Sequence, residues 1–116
     1  MNSEESKITE SINNVYNELK FGLTESIYQK ALVLELKKYF ENVETERSVP
    51  IIFNNHEITT LRADIIVDNK YILELKATLT KLSDKDECQL KRYMKILNIP
   101  RGFLINFGKE LQLNAY

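Results

Sequence analysis

The 116 residues are 43% hydrophobic and 28% charged, with five Phe, six Tyr, three Gly and two Pro, which excludes a disordered or collagen-like chain and predicts one domain over residues 1–116. Sixteen Lys and Arg against 17 Asp and Glu give a net charge of −1, excluding a protein that coats nucleic acid by bulk positive charge. The single Cys88 and single His56 exclude a disulfide framework, a cysteine zinc cluster and multi-histidine metal sites, leaving carboxylates and lysines to carry any chemistry.

In chain order, Ile8, Ile12, Val15 and Leu19 recur at helical spacing and predict a helix from about Glu4 to Lys20, ended by Phe21-Gly22. A second helix is expected from a Thr24 N-cap to about Phe40, with Leu23 and Tyr28 forming a hydrophobic staple. Its apolar residues Ile27, Tyr28, Ala31, Leu32, Leu34 and Leu36 cover a wide arc, so it should be more buried than the first. From Val43 the pattern turns strand-like: Val49–Phe53, a turn at Asn54-Asn55-His56, and Ile58–Val67. A short turn, Asp68-Asn69-Lys70, leads to a strand over Tyr71–Ala77. Ser83 and Asp84 start a third helix carrying Cys88, Leu90, Tyr93, Met94 and Leu97, which Pro100 stops, and Gly102–Gly108 reads as the last strand. The order ααβββαβ implies an α/β (α+β) fold with a mixed sheet of about four strands flanked by helices.

Glu74 and Lys76 sit within an otherwise apolar strand, on one face by alternation. Ionised groups cost several kcal/mol to bury unless paired, so charged residues in so apolar a strand need an explanation. The three-residue connection pairs Val67 with Tyr71 and therefore Asp64 with Glu74, which sets two carboxylates face to face. Such a pair repels unless a cation neutralises it, and Mg2+ or Mn2+ favours oxygen ligands. Lys76 could then act on a metal-bound water or a phosphate, an assembly suited to phosphodiester hydrolysis. The alternative is that Lys76 simply neutralises Glu74 or Asp64 within a structural ion pair.

Gly22-Leu23-Thr24-Glu25-Ser26-Ile27-Tyr28 resembles the Gly-x-x-Glu-x-x-Tyr signature of the GxxExxY family, a branch of the PD-(D/E)XK nuclease superfamily. The resemblance extends through Val49-Pro50-Ile51, Arg62-Ala63-Asp64, Leu73–Ala77, Gln89-Leu90-x-x-Tyr93 and Leu104–Phe107, over roughly residues 8–110. It departs at Asp84–Cys88, where many family members carry a histidine. The resemblance implies a restriction-endonuclease-like core and a Mg2+-dependent (or Mn2+-dependent) nuclease acting on nucleic acid, with DNA the expected substrate. It implies Asp64, Glu74 and Glu25 as metal ligands and catalytic groups, with Lys76 as the catalytic lysine. By the same resemblance Gln89 and Tyr93 approach the substrate.

Lys91 and Arg92 belong to a run of basic residues on the third helix, where a phosphate backbone would pass. Residues 1–69 carry seven basic and twelve acidic side chains, whereas residues 70–101 carry eight basic and four acidic, so a local basic face is expected. Without the resemblance, Glu25 reads as a first-turn acid complementing the helix dipole, Tyr28 and Tyr93 as packing residues, His56 as a solvated turn residue and Cys88 as a small buried hydrophobe. The competing function is a catalytically inactive interaction module of the same fold; a homodimer or a recruiting protein partner is compatible with either. The acidic start Met1–Glu5 and the lack of a long apolar run predict an intracellular chain with no membrane partner.

Overall fold

The computed structural model describes residues 2–116, so Met1 of the acidic start lies outside the described residues. Helix α1 (Ser3–Leu19) opens with a capping box in which Asn2 Oδ1 accepts from Glu5 N at 2.8 Å while Glu5 reaches back to Asn2 N. Its buried stripe contains Ile8, Ile12 and Val15, as the spacing requires. Gly22 follows with φ +118°, a conformation that strains any residue with a Cβ, and turns the chain into α2 (Glu25–Leu36).

Helix α2 departs from expectation in three ways. It stops at Leu36, well short of Phe40, and Lys37–Tyr39 form a turn. It is also no more buried than α1: only Tyr28, Leu32 and Leu36 are enclosed, while Ile27 is 41% and Leu34 71% exposed. The apolar arc is wide, but the sheet and α1 enclose only one narrow stripe of it. The staple is polar: the Tyr28 hydroxyl donates to the Lys20 carbonyl and accepts from Leu23 N at 3.2 Å, while Leu23 stays partly exposed. The Tyr28 ring stacks on Phe107, with centroids 4.5 Å apart.

Five strands form one sheet in the order β1-β2-β3-β4-β5: β1 (Val43–Phe53), β2 (His56–Val67), β3 (Tyr71–Lys76), β4 (Arg101–Phe107) and β5 (Leu111–Ala115). β5 adds one strand to the four expected. β1 and β2 are joined through Asn54 and Asn55, both in the left-handed region that a tight hairpin turn needs, so His56 begins a strand. β3 and β4 are parallel, connected by α3 (Asp84–Leu97). Ser83 and Asp86 form a capping box at the start of α3, and Asn98 in the left-handed conformation ends it before Pro100.

Helices α1 and α2 cover one sheet face, packing Ile8, Ile12 and Leu32 on Leu73, Leu75 and Ile105. Helix α3 covers the other, packing Leu90 and Tyr93 with Ile72, Ile66 and Leu104. α3 lies close to β4: a Cβ on Gly102 would fall 2.7 Å from Met94 Sδ and 2.9 Å from Leu90 Cδ1. Cys88 is exposed on α3 and not buried, because the helix turns Leu90 and Tyr93 inward instead. No helix among the described residues is long and apolar enough to cross a membrane.

Candidate active site at the fork of β2 and β3

The β2–β3 ladder has the expected register, with Val67 opposite Tyr71, Ile66 opposite Ile72 and Ile65 opposite Leu73. It ends there. β2 continues with β1 alone, while residues 74–76 of β3 pair on their other side with β4. The two strands therefore separate immediately before Asp64 and Glu74. β2 also turns over at this point: Ile65 packs under α1 and α2, yet Ala63, two residues away, packs under α3.

Side chains replace the missing ladder bonds. Asp64 N donates to Glu74 Oε1 at 2.9 Å, and Leu75 N donates to Asp64 Oδ2 at 2.8 Å. Each carboxylate thus holds the backbone beside the other. Gln29 of α2 fixes the same turn by donating to the Asp64 carbonyl at 2.8 Å. Glu25, Ser26 and Gln29 of α2 line an open cleft of about 180 Å3 with Asp64, Leu75 and Glu46 of β1.

The electrostatics follow from this geometry. Burial, then the charge of Asp64, pushes the Glu74 carboxyl above its ordinary range; Asp64 rises through burial and the fields of Glu25 and Glu46. Glu25 stands exposed on the cleft rim, and its carboxyl is raised by the surrounding protein and by Glu46 against the opposing pull of Lys76. Lys76 acts on all three carboxylates at a distance, but among the described residues its ion pair is with Asp86 Oδ1, at 3.7 Å. The simple structural pair of Lys76 with Glu74 or Asp64 is not formed.

Tyr93 is buried beneath the fork, and burial together with Glu74 and Asp64 pushes its phenol up to about 12. Gln89 is half-buried and Arg92 exposed on α3, each without a side-chain hydrogen bond or ion pair among the described residues. Lys91 pairs with Glu87 at 2.9 Å and lies over the Tyr116 ring, partners outside the acidic group.

Glu46 and Asp86 were not singled out from sequence. Glu46 has φ 57°, unusual for a side chain inside a strand, and stands across from Asp64 between the paired residues Thr45–Ile65 and Arg47–Ala63.

Among the described residues no group of three His, Cys, Asp or Glu side chains forms a ready metal cage. Mg2+ does not need one, since it binds through one or two carboxylates and keeps waters and substrate oxygens as its other ligands. Among the described residues Glu74 Oε2 and Asp64 Oδ1 accept no hydrogen bond, and no buried side-chain polar atom lacks a partner, so both oxygens reach solvent. A hard, all-oxygen donor pair of this kind fits Mg2+ or Mn2+.

The family model described as PD-(D/E)XK nuclease superfamily matches residues 2–115. Among solved structures, the crystal structure of SSO0001 is similar at 25% identity and a TM-score of 0.56, over 78% of this chain. That alignment spans 48% of the other chain, so the present chain corresponds to about half of it. No curated protein matches.

Proposed function

The chain belongs to the PD-(D/E)XK nuclease superfamily, and from that premise we propose that it is a Mg2+- or Mn2+-dependent nuclease cleaving phosphodiester bonds, with DNA as its substrate. The observation that carries this reading is the interlocked Asp64–Glu74 pair, two carboxylates enclosed at the fork without an ion-pair partner. A fold that needed only neutrality there would have set Lys76 on them. Instead the pair keeps two oxygens open, and Lys76 stands apart from it, beside Asp86.

Within the superfamily we place the chain in the GxxExxY branch, because each signature position has a distinct physical task. Gly22 supplies the positive φ, Glu25 reaches the cleft rim, and the Tyr28 hydroxyl ties the intervening loop to α2.

Asp64 and Glu74 would hold the cation, with Glu25 completing the set from α2. When bound, the cation supplies positive charge for the scissile phosphate and for the attacking water. Lys76 steadies the developing negative charge on the phosphate or orients the water. Gln29 keeps Asp64 aimed by holding its carbonyl, and Tyr93 closes the floor against bulk water. Gln89 and Arg92 form the α3 side along which the nucleic-acid strand lies, and the expected substrate contact of Tyr93 is replaced by its buried place beneath them; Lys91 contributes charge at the outer edge.

The test uses purified wild type and Lys76→Ala with single-stranded, duplex and branched DNA and with RNA, in Mg2+ and then Mn2+. Wild type cleaves at least one DNA form and Lys76→Ala none, while both keep the same cation response in melting temperature. Equal residual cleavage by the two proteins overturns the nuclease reading and leaves the inactive interaction module. Lysine-dependent cleavage of RNA alone replaces DNA as the substrate.

A further inference from the structure

Lys76 is half-buried at the last position of β3, and the side chain that meets its ammonium comes from a different element, Asp86 in the first turn of α3. Asp86 is held from the other side: its Oδ2 accepts from Ser83 N at 3.0 Å and from Ser83 Oγ at 3.1 Å. The remaining oxygen, Oδ1, is the one 3.7 Å from Lys76 Nζ. Burial works to raise the Asp86 carboxyl, but the Ser83 donors and the Lys76 charge outweigh it, and the group lies below its ordinary range. It is therefore a fixed anion beside the site.

We propose that Asp86 is the positioning residue for Lys76, holding its ammonium on the α3 side of the fork and off Glu74 and Asp64. The assignment rests on the nuclease reading for its consequence, and on the geometry alone for the placement. Deprived of Asp86, Lys76 has Asp64, Glu74 and Glu25 as the anions whose fields it already shares. Collapse onto them would put an ammonium where a cation belongs and withdraw the lysine from the phosphate. The adjacent Glu87 is no substitute, since it is engaged by Lys91 at 2.9 Å and by the Tyr116 hydroxyl at 2.8 Å. The spacing also suits the task. At 3.7 Å the contact is an attraction without a directed hydrogen bond, so the ammonium is tethered yet free to pivot toward an incoming phosphate oxygen.

Asp86 also caps α3, so the experiment has to separate capping from positioning. Asp86→Asn keeps an acceptor for Ser83 and removes only the charge, whereas Ser83→Ala removes the capping hydroxyl and keeps the charge. In metal-free protein labelled with 15N-lysine, the Lys76 Nζ resonance, assigned through Lys76→Arg, shifts in Asp86→Asn and stays in place in Ser83→Ala. An unmoved resonance in Asp86→Asn overturns the proposal, as does an equal shift in Ser83→Ala. This arm involves neither metal nor cleavage, so it judges the placement separately from the nuclease reading. In the cleavage assay, Asp86→Asn loses about ten- to a hundredfold in kcat at unchanged KM, and Asp86→Glu recovers part of that loss. Ser83→Ala keeps the wild-type kcat; a matching loss there reduces Asp86 to a helix cap and overturns the proposal. A shifted resonance in a protein that cleaves nothing upholds the placement and removes the nuclease reading instead.

Discussion

Glu5 and Glu74 are both glutamates enclosed by the fold, 7% and 6% exposed, yet they are treated in opposite ways. Glu5 in the first turn of α1 receives Arg101 of β4 at 2.7 Å, and this bond, acting against burial, holds its carboxyl below the usual range. Glu74 receives one backbone N–H, no cation within ion-pair distance among the described residues, and a second carboxylate as neighbour. Where the fold needs to fasten a helix to a strand it neutralises the charge at short range. At the fork it supplies no such cation and the crowded carboxyls are raised instead, at a cost in stability; under the proposed function this is the place a positive ligand would fill.

The sharpest way to break this comparison is to supply that ligand. Mn2+ at about 100 times its Kd should stabilise wild type by roughly 2.7 kcal/mol in thermal melts, and Asp64→Asn should lose the response. A wild-type-like response in Asp64→Asn removes Asp64 from the ligand set. Next in size, Glu5→Gln should destabilise the protein by about 1–2 kcal/mol in urea unfolding; the half-exposed Arg101 keeps the effect below that of a fully enclosed pair. Glu74→Gln should have the opposite sign, stabilising the metal-free protein by about 1 kcal/mol, roughly 4 °C for a domain of this size, because the amide still accepts from Asp64 N. A destabilised Glu74→Gln protein would mean that the two glutamates serve the same purpose.

The smallest effect is a slope with pH. A carboxyl raised in the fold takes up a proton on folding at pH values between its ordinary value and its raised one. Metal-free stability contributed by Glu74 and Asp64 is therefore present at mildly acidic pH and is lost as pH rises from the ordinary carboxylate range toward and through their raised values. Glu5 contributes the reverse: its stabilisation is present above its ordinary value and is lost as pH falls through the depressed one. Melting temperatures from pH 4 to 8 should fall in metal-free wild type at the neutral end, and Glu74→Gln should flatten that decline.

The site residues carried by one hairpin were legible because a three-residue connection fixes register parity, and Val67 does stand opposite Tyr71. What parity could not reveal is that the ladder ends one pair before Asp64, so side chains and not backbone join the strands there. Glu46 was hidden by a bulge: the turn pairs Phe53 with His56, but the register shifts between Ile51 and Ile52, and only after that shift does Glu46 come opposite Asp64. Asp86 left no signal in local spacing, since its partner Lys76 sits on another element. Leu111 and Leu113 were too few apolar alternations to announce β5, and Leu34 of α2 was misread because hydrophobicity alone does not say how far a sheet extends beneath a helix.

The reciprocal bonding at the fork has an evolutionary consequence. Asp64 and Glu74 serve the backbone with one oxygen each and face solvent with the other, so under the proposed function the architectural task and the chemical task reside on different atoms of the same side chains. Exchange to Asn and Gln retains the first task and discards the second, and each exchange is one nucleotide away. A duplicated copy released from selection for cleavage therefore has a short path to a scaffold that still folds, whereas one that drifts to alanine at these positions must first lose its strand junction. Descendants that abandoned cleavage are expected to carry amides here, which would make the pair a readable record of which copies still cut.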